Sequence, residues 1–171
     1  MNYLEPYHVV NAVVQRLKEN ADQLIYKNKN IQQDNITEIT DDPGKVGKED
    51  PDYVAPPWLG VFFNMDETVD VLEGGSPSSI PYLIGVLNSS SPNYSKSFEA
   101  LAEAMYYSRK IIDIVTKFGE DDPTYEINVA EPGEPDDIRI VTLRCDPLPR
   151  QVITASAELS VVETRFRYVE P

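Results

Sequence analysis

Hydrophobic residues recur at steps of three and four in two segments, which predicts two amphipathic helices. The first helix runs from about Leu4 to Tyr26, and the second spans roughly Ser95 to Phe118. An α-helix brings residues at this spacing onto one face, where they can be buried together. The predicted buried faces comprise Val10, Val13, Val14, Leu17, Ala21, Leu24 and Ile25 in the first helix, and Phe98, Leu101, Ala102, Met105, Ile112 and Val115 in the second.

Runs rich in aromatic and β-branched residues predict a sheet of about four strands. They span 58–65, 82–87, 138–145 and about 152–169, and residues 125–129 form a further brief candidate. The order of elements predicts a single α+β domain over 1–171. Its sheet is mostly antiparallel, and the two long helices pack on one of its faces.

The last run of residues, 152–169, is too long to fit within the domain as one straight strand. Eighteen extended residues would reach roughly 60 Å, whereas a compact chain of this size is only about 40 Å across. Its alternation also changes face after Val161, which indicates a bulge, a bend or a second packing partner. We therefore predict that residues 162–171 project as an arm towards a partner.

Charge is distributed unevenly along the chain. Residues 28–57 and 119–138 read as two long acidic loops, and the second holds eight acidic residues and no basic one. Five of the seven arginines lie in the last 33 residues. Arginine-bearing strands of one subunit could meet the acidic surface of a neighbour in a symmetric ring, although ordinary surface arginines explain the distribution equally well. The candidate interface comprises Arg150, Val162, Arg165, Phe166, Arg167 and Tyr168.

The composition argues against most catalytic and nucleic-acid-binding functions. The net charge is −14, which disfavours a protein that must grip phosphates. One His8 and one Cys145 exclude zinc sites that need several such ligands, and the segment Gly44–Glu49 lacks the spacing of a phosphate loop. The paired aspartates at 121–122 and 136–137 lack the calcium-loop pattern. We expect no cofactor, no metal and no enzymatic activity.

Membrane insertion and secretion are also unexpected from the sequence. The longest apolar stretches fall far short of the ~20 residues that span a bilayer. The first residues lack the basic and apolar regions of a signal peptide.

The layout resembles that of a known family. An N-terminal amphipathic helix, two strands, a second long helix containing Ser97–Ala102, and a final strand pair ending in Glu163–Val169 are similar to the tail-terminator and tail-completion proteins of long-tailed bacteriophages. This resemblance covers nearly the whole chain and rests on layout and length. It implies a structural virion subunit, made in the host cytoplasm, that forms a homo-oligomeric ring, commonly a hexamer. The ring would cap the tail tube and join it to the neck or head.

The resemblance also implies that DNA passes through the ring without specific binding. An acidic surface lining the channel would repel the duplex, since each basic contact would hold the phosphates by counterion release. The same surface could instead face outward towards the neck. The candidate residues are Glu120, Asp121, Asp122, Glu131, Glu134, Asp136 and Asp137.

Two other classes of protein remain open at this point. One is a small acidic enzyme or ligand-binding domain with a pocket lined by Trp58, Tyr82 and Tyr106. The other is an acidic inhibitor that mimics DNA. Such a mimic would carry its carboxylates on ordered elements, whereas here they fall in segments rich in proline and glycine. A ring would contain several protomers, while either alternative favours a monomer or a dimer.

Overall fold

A computed structural model of the chain describes residues 6–39, 55–63, 82–116, 124–131 and 134–169. These residues form two α-helices and eight strands, together with short 3₁₀ turns at Ala21–Gln23 and Gln33–Asn35. In chain order the elements are α1 (Pro6–Glu19), β1 (Ile25–Tyr26), β2 (Lys29–Asn30), β3 (Ile36–Glu38), β4 (Leu59–Phe63), β5 (Tyr82–Ser89), α2 (Ser97–Val115), β6 (Thr124–Glu131), β7 (Glu134–Ala155) and β8 (Ser160–Val169).

The predicted sheet of about four strands is wrong. The main sheet has six strands in the order β3-β4-β5-β8-β7-β6, and β1 pairs with β2 in a separate two-stranded sheet. All neighbours are antiparallel except β3 and β4, which run parallel. The described part of the segment 28–57 contributes β2 and β3 to these sheets, so it is not simply a loop. Residues 40–54 lie outside the described part.

The first helix ends at Glu19 and not at Tyr26. The side-chain amide of Asn20 donates a hydrogen bond to the Arg16 carbonyl at 2.8 Å, and a 3₁₀ turn follows. Lys27 then adopts a positive φ of 53°, so the chain reverses between β1 and β2. Leu24 is buried as predicted, but it reaches the core from a turn.

The main core lies between the helices and one face of the sheet. Residues of both helices form one buried cluster with Val61, Ile84, Val86 and Phe166. The sheet curves around α1, which contacts β3 and β4 at one end and β6 at the other. Residues that alternate with these on the strands point to the opposite face, where Trp58, Phe62, Leu87 and Val161 form a second cluster.

Close packing on this second face depends on glycine. Phe62 on β4 lies opposite Gly85 on β5. A Cβ at Gly85 would overlap the ring of Phe62. The sheet therefore accommodates the ring only because position 85 has no side chain. A similar contact joins Gly60 to Ile39.

Helix α2 buries a different face from the one predicted. Ala100, Ala104, Tyr107 and Ile111 face the core, together with the correctly predicted Ile112 and Val115. Phe98, which was predicted to be buried, is 64% exposed, and Ala102 is also exposed. The helix carries apolar residues on more than one side, and the sheet covers only one of them.

The final run of residues forms two strands and not one long arm. β7 ends at Ala155, the chain turns through 156–159, and β8 begins at Ser160. The Ser156 hydroxyl donates to the Leu159 carbonyl at 2.8 Å and accepts from the Leu159 amide at 3.0 Å. β8 then pairs with β5 on one side and β7 on the other, up to Tyr168 and Val169. The predicted projection of residues 162–169 is therefore wrong.

The predicted acidic loop at 119–138 is largely a β-hairpin. β6 and β7 pair from Thr124 opposite Arg144 to Glu131 opposite Glu134. Glu131, Glu134, Asp136 and Asp137 thus lie on strands. Glu120, Asp121 and Asp122 lie outside the described residues.

Candidate assembly surface

The second half of β7 forms an exposed strand edge. Residues Arg150–Ala155 pair with β8 on one side, whereas β6 pairs with β7 only as far as Arg144. Among the described strands, none lies beside residues 150–155 on the side where β6 ends. All six of these residues are exposed, and we call them the free segment of β7.

Two apolar side chains of the free segment face solvent. Val152 is 46% exposed and Ile153 is 51% exposed. The register with β8 shifts between Val152 and Thr154, so a bulge at Ile153 alters the alternation there. Exposed apolar residues on an open strand edge are typical of a surface that pairs with another chain.

Polar side chains flank the free segment on the face of the sheet opposite the helices. Arg165 donates to Glu163 Oε1 at 3.1 Å and to Gln151 Oε1 at 2.7 Å. Gln151 lies opposite Glu163 in the register, so Arg165 links the two strands across the sheet. Arg167 lies on the same face two residues further along β8 and is half-buried.

The structure separates the six residues of the predicted interface. Arg150 lies on the free segment and is exposed. Val162 and Phe166 are fully buried in the core, so as interface residues these two predictions are wrong. Arg165 and Arg167 remain partly accessible. Tyr168 lies in β8 opposite Tyr82 and Leu143.

Sequence reasoning missed Val152 and Ile153. Both were read as part of one long strand, so neither was assigned to an edge. The available signal was the pair Pro147 and Pro149, because prolines in a strand indicate an edge or a bulge. The register of β7 with β8 does break between Cys145 and Arg150, around these two prolines.

A second exposed surface lies on the outer side of α2. Phe98, Ala102 and Tyr106 follow one another at four-residue steps and are all exposed, so they share one face of the helix. The Tyr106 ring lies 5.3 Å from the ring of Tyr26. The Lys110 ammonium lies 5.7 Å from the centroid of the Tyr106 ring.

The aromatic pocket predicted for an enzyme or ligand-binding domain is not formed by Trp58 and Tyr106. Trp58 packs with Phe62 on the face of the sheet away from the helices, while Tyr106 contacts Tyr26 on the outer side of α2. The two side chains thus lie on opposite sides of the sheet. The side chain of Tyr82 lies outside what the structure describes.

A buried carboxylate joins α2 to the loop after β5. Glu103 is fully buried and accepts hydrogen bonds from the Ser91 amide at 2.9 Å and the Ser91 hydroxyl at 2.7 Å. The Tyr107 hydroxyl lies 2.9 Å from Glu103 Oε1. The Lys29 ammonium is 3.9 Å from Oε2 and stacks 3.7 Å above the Tyr94 ring. Every contact satisfies a carboxylate that would otherwise be costly to bury.

This cluster changes the titration of two tyrosines. Burial, and after it the Glu103 carboxylate, raise the pKa of Tyr107 above its ordinary value of 10.0. The pKa of Tyr94 is raised by the same two causes. A phenolate beside a buried carboxylate would be a second negative charge in a poorly solvated site, so the folded protein keeps both phenols protonated.

The raised pKa of Tyr107 predicts a loss of stability in alkali. The unfolded chain releases the proton near pH 10 and the folded chain does not, so the free energy of unfolding falls as the pH rises above about 10. Tyr107→Phe should lower stability by about 1 kcal/mol near pH 7 and give a shallower fall above pH 10. Urea unfolding between pH 8 and 11 measures both. Tyr7→Phe, at an exposed tyrosine, is the matched control, and equal slopes for the two variants would contradict the prediction.

The remaining candidate groups form no further site in the described residues. His8 is buried on α1 and packs edge-on against Tyr7. Within the described ranges, no group of three or more His, Cys, Asp or Glu residues is arranged to hold a metal ion. Neither of the two described α-helices combines the length and the apolar character needed to cross a bilayer.

Comparison with known proteins adds no family assignment, because no protein-family model and no curated protein matches this chain.

Proposed function

We propose that this protein is a structural virion subunit of the tail-terminator type, which forms a ring that caps the tail tube and joins it to the neck. The free segment of β7 carries this proposal. An open strand edge with Val152 and Ile153 exposed is a surface that a second protein chain can cover. A ring requires such a surface, because each subunit must contact a neighbour through complementary patches.

Charge supports the passage of DNA through the proposed ring. The net charge of −14 gives each subunit a field that repels phosphates. The β6–β7 hairpin carries part of that charge, since residues 124–144 hold five acidic residues and two arginines. The hairpin is therefore our candidate for the channel wall, and its alternative position is the surface that faces the neck.

Light scattering coupled to size-exclusion chromatography tests the proposal directly. The purified protein should elute as a species of several protomers, and negative-stain electron microscopy should show closed rings with a central opening wide enough for duplex DNA. Infectious particles should contain the protein at the junction of tail and head, as detected by labelled antibody. A protein that stays monomeric at every concentration tested would overturn the ring.

The DNA-mimic alternative gains one observation from the structure. Glu131, Glu134, Asp136 and Asp137 lie on strands, whereas the sequence alone placed them in a loop. Glu126 lies on β6, where the sequence predicted a brief strand. Carboxylates on ordered strands are what a mimic requires. Such a protein would be a monomer or dimer that displaces duplex DNA from a DNA-binding protein, and that competition would weaken steeply with added salt.

A further inference from the structure

The free segment lies further along β7 than the part that pairs with β6. β8 pairs with β7 on one side both at 142–145 and at 150–155, so the other side of β7 is the one that β6 occupies. β6 covers that side only as far as Arg144. Among the described residues, no strand lies beside 150–155 on that side, and all six residues are exposed, so this edge can accept a further strand in line with β6.

We propose that the outer edge of β6 from a second copy of this chain pairs with the free segment. This inference rests on the proposed function, since it names the contact that would build the ring. Of the two strands that end the six-stranded sheet, β3 has three residues and β6 has eight. Only β6 is long enough to match the six residues Arg150–Ala155.

Charge complementarity selects the same partner. The free segment carries Arg150, and the partly accessible Arg165 and Arg167 lie on the neighbouring strand. The β6–β7 hairpin carries the opposite charge, including Glu126 and Glu131 on β6 itself. A contact between two different surfaces is also the kind that closes into a ring.

The sequence before the free segment limits the length of the contact. Pro147 and Pro149 have no amide proton to donate, and the register with β8 is broken between Cys145 and Arg150. An added strand can therefore pair with about six residues, a length of roughly 20 Å. The prolines and the bulge at Ile153 also restrict unselective edge-to-edge aggregation.

Charge reversal tests the proposed contact. Arg150→Glu and Glu126→Arg should each weaken assembly by roughly tenfold in dissociation constant, which is a modest effect for one close charge pair. The double variant should recover most of the loss, because it restores opposite charges with the signs exchanged. Sedimentation velocity of the full chain over a concentration series measures the dissociation constants. If the two losses simply add in the double variant, the two residues are not partners.

A matched pair of substitutions tests the apolar part. Ile153→Lys on the free segment should weaken assembly, whereas Ile25→Lys should not, although Ile25 has a similar exposed fraction of 42%. Equal effects of the two variants would overturn the contact. A melting temperature close to that of the parent protein would show that Ile153→Lys remains folded.

Cysteine cross-linking distinguishes the pairing partners. In a Cys145→Ser background, the combination of Val152→Cys with Asn128→Cys should give oxidised ladders of several protomers. Val152→Cys alone should give no disulfide-linked dimer, and such a dimer would mean that two free segments pair with each other. Rings that persist in all these variants would overturn the contact and leave the proposed function standing, whereas a parent protein without any oligomer would overturn both.

Discussion

Deleting residues 162–171 is expected to abolish folding, because the deletion removes nearly all of a strand from the middle of the sheet. β8 pairs with β5 over eight register positions and also with β7. Its loss would leave both neighbours unpaired and would expose the core residue Phe166. Circular dichroism and urea titration should show no cooperative unfolding transition. A truncated protein that unfolds cooperatively would contradict the strand order.

A single substitution in β8 tests the same contribution to stability without removing the strand. Phe166 is fully buried in the core, so Phe166→Ala should lower the free energy of unfolding by about 3–5 kcal/mol. Ile153→Ala removes an apolar side chain that is half-exposed, and it should cost below about 0.5 kcal/mol in the monomer. Urea unfolding at concentrations where the protein is monomeric compares the two. Similar losses would mean that β8 is not part of the core.

The missed turn shows where sequence reasoning failed on the fold. Residues 156–159 contain no glycine, proline or asparagine, so they lack the usual turn signals. The turn is instead closed by the hydroxyl of Ser156. Because no turn was recognised, residues 152–169 were interpreted as one long strand whose alternation changes face after Val161, and its end was predicted to project from the domain. The same change of face follows naturally from two antiparallel strands joined by a turn.

The helices show which part of the fold a local pattern can predict. Both were found from their spacing, because a period of 3.6 depends only on residues near each other in the chain. The buried side of α2 was not found, because Phe98 and Ala102 continue the apolar pattern on a side that the sheet does not cover. The side that the sheet covers carries Glu103, a residue type that is seldom fully buried without partners. Its partners come from distant parts of the chain, so a local pattern could not reveal them.

The Glu103 cluster also supports the turn that ends the free segment of β7. Glu103 holds Ser91 through two hydrogen bonds. The adjacent Ser90 donates its amide to the Ser160 carbonyl at 2.8 Å and accepts from the Ser160 amide at 2.9 Å. The Tyr94 amide donates to the Ala157 carbonyl at 3.1 Å. The loop that Glu103 fixes therefore contacts the turn between β7 and β8 at Ala157 and the first residue of β8.

Replacing Glu103 should consequently have the second large effect on stability. Glu103→Ala leaves the Ser91 amide and the Ser91 hydroxyl without their acceptor, and it leaves the Tyr107 hydroxyl with the Lys29 carbonyl at 3.1 Å. The substitution should cost about 3–5 kcal/mol. Glu103→Gln keeps the volume and one acceptor oxygen, so its loss should be smaller. Lys29→Met should cost below about 1 kcal/mol, since the Lys29 ammonium is 3.9 Å from the Glu103 carboxylate and its side chain is 37% exposed.

Urea unfolding at pH 7 ranks the three variants, and hydrogen exchange locates the change. Amides of residues 156–160 should exchange faster in Glu103→Gln than in the parent protein, while those of α1 should change less, because the loop that Glu103 holds is hydrogen-bonded directly to the turn. If Lys29→Met were as destabilising as Glu103→Ala, the ion pair and not the hydrogen bonds would stabilise the cluster. Unchanged exchange at residues 156–160 would mean that the Glu103 cluster does not stabilise the turn at the end of the free segment.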